Sequence, residues 1–245
     1  MSQTLEAENH QLVLISGESG TGKSASLMNI RSQSRWLYLN CEAGKRLPFK
    51  NTFDTYRITD PLQVYEAFEF GTDNPNVDGI VIDTITFLMD MYESQLVLPS
   101  TNTQKAWGDY AQFYKNLMQV YVTRFQKPTI ILGHTRGELN ESMNIIEKSV
   151  PVKGSLKGNG IEAYFSTVVS TKRLELKRLK DYQNPMLTIT PEDEVLGYKH
   201  VFQTKPTKET VGERIRGPMG LFTREETFIN NDAQLLLDHL QAYYA

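Results

Sequence analysis

Gly17-Glu18-Ser19-Gly20-Thr21-Gly22-Lys23-Ser24 follows the spacing G-x-x-x-x-G-K-[ST] in full. A loop of this kind can hold phosphate. Its glycines let backbone N–H groups turn inward around phosphate oxygens, and a helix start behind it adds a positive dipole end. The flanks fit that reading. Gln11-Leu12-Val13-Leu14-Ile15-Ser16 is apolar and reads as a buried strand, and Ala25-Ser26-Leu27-Met28-Asn29-Ile30-Arg31 reads as a helix. Gly17, Glu18, Ser19, Gly20, Thr21, Gly22, Lys23, Ser24 and Ala25 are therefore the candidate phosphate contacts. Lys23 is placed to reach the outer phosphates, and the Ser24 hydroxyl to ligate Mg²⁺.

Outward from the loop, the first half of the chain alternates strand and helix. Arg35–Asn40, Gly79–Asp83 and Pro128–His134 read as strands, the last two almost wholly apolar. Pro61–Phe70, Thr84–Gln95 and Gln104–Gln126 read as helices. The last carries Trp107, Tyr110, Phe113, Tyr114, Leu117 and Tyr121 at helical spacing, a stripe that reads as core packing. Continuous apolar strands alternating with helices predict an α/β fold, a mainly parallel sheet with helices on both faces. The second half differs. Gly137–Gly160 is polar and reads as a long functional loop. Tyr164–Leu179 reads as extended, 180–198 as a hairpin or small insertion, and Lys199–Thr204 as a strand, giving a C-terminal β-hairpin region. Residues 232–245 read as a C-terminal helix with Asp232 as N-cap. Residues 1–10 read as a tail, and no linker divides residues 1–245, so one domain is expected.

Composition narrows the classes. The net charge of −3 gives no global basic field, so any nucleic acid must meet local patches. A single cysteine, Cys41, excludes an internal disulfide framework and fits a reducing compartment. No apolar run is long enough for a membrane span, and Met1–His10 does not read as a targeting segment, so a cytoplasmic place is expected. The four histidines are scattered and offer no zinc-ligand spacing.

Five further residues carry chemistry, each with a plainer alternative. Asp83 ends an apolar strand, where a carboxylate can hold Mg²⁺ with Ser24 or simply cap the next helix. Glu42 lies just past the strand after the loop, where it can orient or deprotonate an attacking water, or sit solvated. His134 ends the fourth strand and can hydrogen-bond a γ-phosphate, or pack as an ordinary histidine. Arg214 and Arg216, at i and i+2 on an extended segment, point the same way. They can serve as arginine fingers or form a solvated basic turn.

Taken in order and spacing, these elements resemble the RecA-like P-loop ATPases. The carriers are Gly17–Ser24, Asn40-Cys41-Glu42, Val81-Ile82-Asp83, Ile131-Leu132-Gly133-His134, Val152–Gly158 and Arg214-Ile215-Arg216-Gly217. The closer resemblance is to phage-type nucleotide-binding ATPases that include single-strand annealing recombinases. That resemblance implies a RecA-like P-loop NTPase core using ATP and Mg²⁺, with Glu42 as catalytic base and His134 as γ-phosphate sensor. It implies Arg214 and Arg216 acting in trans, hence a homo-oligomer forming a ring or filament. It also implies contact with single-stranded DNA through the segments Leu98–Trp107 and Thr135–Gly160, with Arg136, Lys153 and Lys157 on the backbone phosphates. The basic run Lys172–Lys180 reads equally as a DNA stripe or a solvated face. The expected activity is an ATP hydrolase in recombination or replication, in host cytoplasm if phage-encoded. A helicase or packaging motor of the same core, a small-molecule nucleotide kinase and a nucleotide-gated scaffold remain open beside it.

Overall fold

Alternate side chains of the apolar strands must be buried on opposite faces, and the computed structural model, which describes residues 9–245, shows how. The tail expected over residues 1–10 lies mostly outside the described residues. Ten strands form among those described: β1 (Leu12–Gly17), β2 (Trp36–Asn40), β3 (Asp54–Arg57), β4 (Gly79–Asp83), β5 (Thr129–His134), β6 (Arg136–Asn140), β7 (Ile145–Ser149), β8 (Thr167–Glu175), β9 (Tyr198–Gln203) and β10 (Phe228–Asn230). Eight make one sheet in the order β10-β9-β8-β1-β5-β4-β2-β3. From β8 to β3 every pairing is parallel, whereas β9 and β10 add on antiparallel. The fold is the expected mixed α/β core, with a mostly parallel sheet and an antiparallel region after it.

One sheet face presents Leu14, Leu37, Leu39, Ile80, Ile82 and Ile131 to α1 (Gln63–Asp73), α2 (Ile85–Tyr92) and α3 (Thr103–Asn116). The aromatic stripe of α3 packs there, with Tyr110, Phe113 and Tyr114 buried. The other face presents Val13, Ile15, Val81, Ile130 and Leu132 to the C-terminal helix Ala233–Tyr244 through Leu236, Leu237 and Leu240. Each fully buried Leu or Ile is worth about 1.5–3 kcal/mol, so these two layers dominate stability. Asp232 caps the C-terminal helix as expected, accepting from the N–H groups of Gln234 and Leu235.

Three expectations need correction. The helix expected over Ala25–Arg31 is a single 3₁₀ turn, Ser24–Leu27. Asn29, Ile30 and Ser32 are weak helix formers. The Arg31 N–H bonds the Gln234 side chain instead of a carbonyl up the chain, and Ser32 turns left-handed at φ 51°. The polar stretch Gly137–Gly160 is not one long loop. It folds into the antiparallel hairpin β6–β7 and then a short helical turn, Leu156–Asn159. Asn140 closes the hairpin turn by accepting from the Met143 N–H and the Ser142 hydroxyl. Finally, of the two readings of 180–198, hairpin or small insertion, the hairpin does not form: no strand lies between β8 and β9 among the described residues, and the segment ends in the short helix Pro191–Leu196, set by a capping box between Thr190 and Asp193.

Candidate functional site

The parallel register brings the C-terminal ends of β1, β5, β4 and β2 side by side. Leu39 pairs with Ile82 and Asn40 with Asp83, while Gly17 pairs with His134. The phosphate loop, His134, Asp83 and Glu42 therefore share one edge, the crevice where α/β sheets bind ligands. A groove of about 400 Å³ lies along it, lined by Lys23, Ser24, Glu42, Lys45 and His134 among others. A groove of similar volume beside β3 and α1 lies apart from these groups, lined by residues such as Tyr56, Gln63 and Phe70.

Lys23 is 5% exposed and folds back on its own loop, donating to the carbonyls of Gly17 at 2.9 Å and Glu18 at 2.8 Å. Burial lowers its ammonium to about 8, against the pull of Asp83 and Glu42 toward the charged form. Among the described residues no carboxylate bonds it directly, so an anion can take over from two carbonyls.

Asp83 is 2% exposed, and its Oδ2 accepts from the Ser24 hydroxyl at 2.9 Å and the Tyr38 hydroxyl at 2.7 Å. Burial raises its carboxyl above the usual range, partly offset by the Tyr38 bond. Capping of α2 does not occupy it. Thr84 does that, accepting from the Phe87 N–H. Its other oxygen, Oδ1, is buried with no hydrogen-bond partner among the described residues. A lone carboxylate with a vacant oxygen beside a hydroxyl suits a hard cation, with the remaining ligands from phosphate and water. Accordingly, no group of three or more His, Cys, Asp or Glu among the described residues forms a protein-only metal cage.

Glu42 is held on both oxygens. Oε1 faces His134 Nε2 at 3.0 Å, and Oε2 accepts from Lys45 Nζ at 2.7 Å. The His134 contact first, then Lys45, brings its carboxyl down to about 2 despite 9% exposure of the side chain. His134 is itself fixed, its backbone N–H donating to the Thr86 hydroxyl.

The remaining expected residues lie elsewhere. Arg214 Nη1 donates to Asn159 O at 3.1 Å and to the buried Glu162 at 3.2 Å. Arg216 pairs by its backbone with Val168, and its side chain is exposed. Neither lines the groove. Arg136 opens β6, exposed, whereas Lys153 is paired with Glu93 at 2.7 Å and Lys157 with Glu138 at 3.6 Å. Within the run Lys172–Lys180, Lys172 pairs with Glu213 and Lys177 with Glu175. Sequence reasoning missed Tyr38 and Lys45. A signal existed for Lys45, three residues after Glu42 with opposite charge.

The strand–loop–turn at Gly17–Ser24, with Asp83 ending a buried strand two places along the same sheet, defines a P-loop NTPase. The family described as an AAA domain matches residues 9–213, and the chain belongs to that family of P-loop ATPases. A search of curated proteins finds no match. Family membership carries nucleotide binding and, in general terms, hydrolysis. No helix among the described residues is long and apolar enough to cross a membrane.

Proposed function

We propose that this protein is an Mg²⁺-dependent ATPase that binds single-stranded DNA and works as an oligomer, in recombination or replication of phage type. The observation that carries the ATPase half is the meeting of Lys23, Ser24–Asp83 and Glu42 on one groove. Lys23 exchanges its two loop carbonyls for phosphate oxygens. Ser24 and Asp83 would hold Mg²⁺. When bound, that ion neutralises charge on the phosphates during transfer. Glu42 accepts a hydrogen bond from the attacking water and aligns it. A carboxylate held near 2 is a poor proton acceptor, so His134 or Lys45 must let go before it acts as a base. His134, already on Glu42, is placed to make that release depend on the γ-phosphate.

Support for DNA is the resemblance together with the β6–β7 hairpin, which follows His134 directly and carries Arg136 and Lys148. Support for an oligomer is the exposed Arg216 side chain, without an ion-pair or hydrogen-bond partner among the described residues. The engaged Arg214 would have to leave Glu162 to act on a neighbour. The test is the ATP hydrolysis rate with and without single-stranded DNA, joined to a gel shift titrated with salt. Stimulation and salt-sensitive binding are expected. Hydrolysis without either removes the DNA half, and phosphoryl transfer to nucleosides in place of water would make it a kinase.

A further inference from the structure

A phosphate loop works only if its peptide planes are turned so that N–H groups face the ligand. A long helix behind the loop ordinarily aligns them, but here the turn Ser24–Leu27 has only four residues. The turn still bonds the Gly22 carbonyl, through the Ser26 N–H at 3.0 Å, and two side chains from the far end of the sequence add to that grip. His200, on β9, places Nδ1 2.8 Å from the Thr21 carbonyl. Asn231, just after β10, donates its side-chain amide to the Gly22 carbonyl at 2.9 Å.

A trans peptide unit points its C=O and N–H in opposite directions. Drawing the Thr21 and Gly22 carbonyls toward β9 and β10 turns the N–H groups of Gly22 and Lys23 away from them. Neither N–H donates to a protein acceptor among the described residues, so both are left for a ligand. The contact is close. At Gly22, φ is +106°, and a Cβ there would lie 2.8 Å from Asn231 Nδ2 and 3.2 Å from His200 Nδ1. Asn231 is also a costly choice for packing alone. Its Oδ1 is buried without a hydrogen-bond partner among the described residues, and a buried carbonyl left unpaired is destabilising. An apolar residue would avoid that cost but would leave the Gly22 carbonyl to the Ser26 N–H alone.

We propose that His200 and Asn231 are positioning residues for phosphate. They orient the Thr21–Gly22 and Gly22–Lys23 peptides so that two N–H groups meet the phosphates of a bound nucleoside di- or triphosphate. This rests on the reading of Gly17–Ser24 as the nucleotide site. It assigns the antiparallel end of the sheet a task, as the rear support of the loop.

The test is titration calorimetry with Mg·ADP, melting temperature, and kcat and KM for ATP, on Asn231→Leu, Asn231→Asp, His200→Phe and Lys23→Ala. Asn231→Leu is expected to melt at or above the parent temperature while ADP binds about tenfold more weakly, with KM rising more than kcat falls. Asn231→Asp keeps the shape but sets an acceptor against the Gly22 carbonyl, and should weaken binding at least as much. His200→Phe keeps a ring without the donor and should follow. If Lys23→Ala loses ADP while the other three bind within twofold of the parent, the proposal is overturned and the nucleotide site stands. If the parent chain binds neither ADP nor ATP, the nucleotide reading falls and this proposal with it.

Discussion

The phosphate loop and the β6–β7 region both carry lysines, but they hold them in opposite ways. At the loop, among the described residues, Lys23 bonds only backbone carbonyls, the Gly22 and Lys23 N–H groups have no protein acceptor, and Asp83 Oδ1 has no hydrogen-bond partner. Around the hairpin, Lys148, Lys153 and Lys157 are each matched by a carboxylate, from Glu18, Glu93 and Glu138. Exposed pairs of this kind are worth only ~0–1 kcal/mol, so their strength is not the point. Their effect is to cancel the local positive field that would draw a polyanion. One end is poised for a compact, highly charged ligand. The other must surrender internal partners before it meets a phosphate backbone. The same contrast appears in Lys148, which ties the hairpin to Glu18 inside the phosphate loop, so the two regions touch through one ion pair.

Four measurements press on this contrast. Glu42→Gln should lower steady-state ATP hydrolysis by about 10²–10⁴-fold while ADP binding stays close to the parent, since only the water-aligning carboxylate is lost. Equal turnover by the variant would remove Glu42 from the chemistry. Next, Asp83→Asn should cost about 10–100-fold in ATP affinity measured with Mg²⁺, and its affinity should no longer respond to EDTA. A variant that still responds to chelation would place the cation elsewhere.

The third is a pH series. Lys23 is lowered to about 8 from an ordinary 10.5, so in the free protein it loses its proton as pH rises through 8. Bound phosphate favours the ammonium and raises that value. Nucleotide binding must then take up a proton above pH 8, and affinity should fall by up to about tenfold per pH unit there. Calorimetry in two buffers of different ionisation enthalpy reads the proton directly, and no uptake at pH 9 would mean that Lys23 is already charged. The smallest effect belongs to the hairpin side. Glu93→Gln with Glu138→Gln frees Lys153 and Lys157, and should tighten single-stranded DNA binding a few-fold, on the order of 3-fold, with a steeper salt slope. Unchanged affinity in a gel shift would take these lysines out of the DNA reading.

Much of the phosphate end was legible because its parts are short-range patterns. The loop spacing is contiguous, and Asp83, Glu42 and His134 each follow a recognisable apolar strand. Parallel packing then brings strand ends together whatever the loops between them do. The hairpin was not legible. Its strands are five residues each and largely polar, and the turn between them has no Asn-Gly, Asp-Gly or Pro signal. Nor was the edge strand β3, whose four residues are all exposed and so show no alternation. The shortened turn after the loop depended on Gln234, more than two hundred residues away.

Read alone, then, the chain specified a layered parallel sheet and a phosphate loop at its edge, because burial periodicity and glycine spacing are local properties. Only the folded molecule decided which charge meets which. Long side chains find partners across loops whose relative position no local pattern encodes. That is why Glu42 meets His134 across the sheet edge, and the lysines around the hairpin are neutralised. It is also why two residues from β9 and the end of β10 came to hold the phosphate loop from behind.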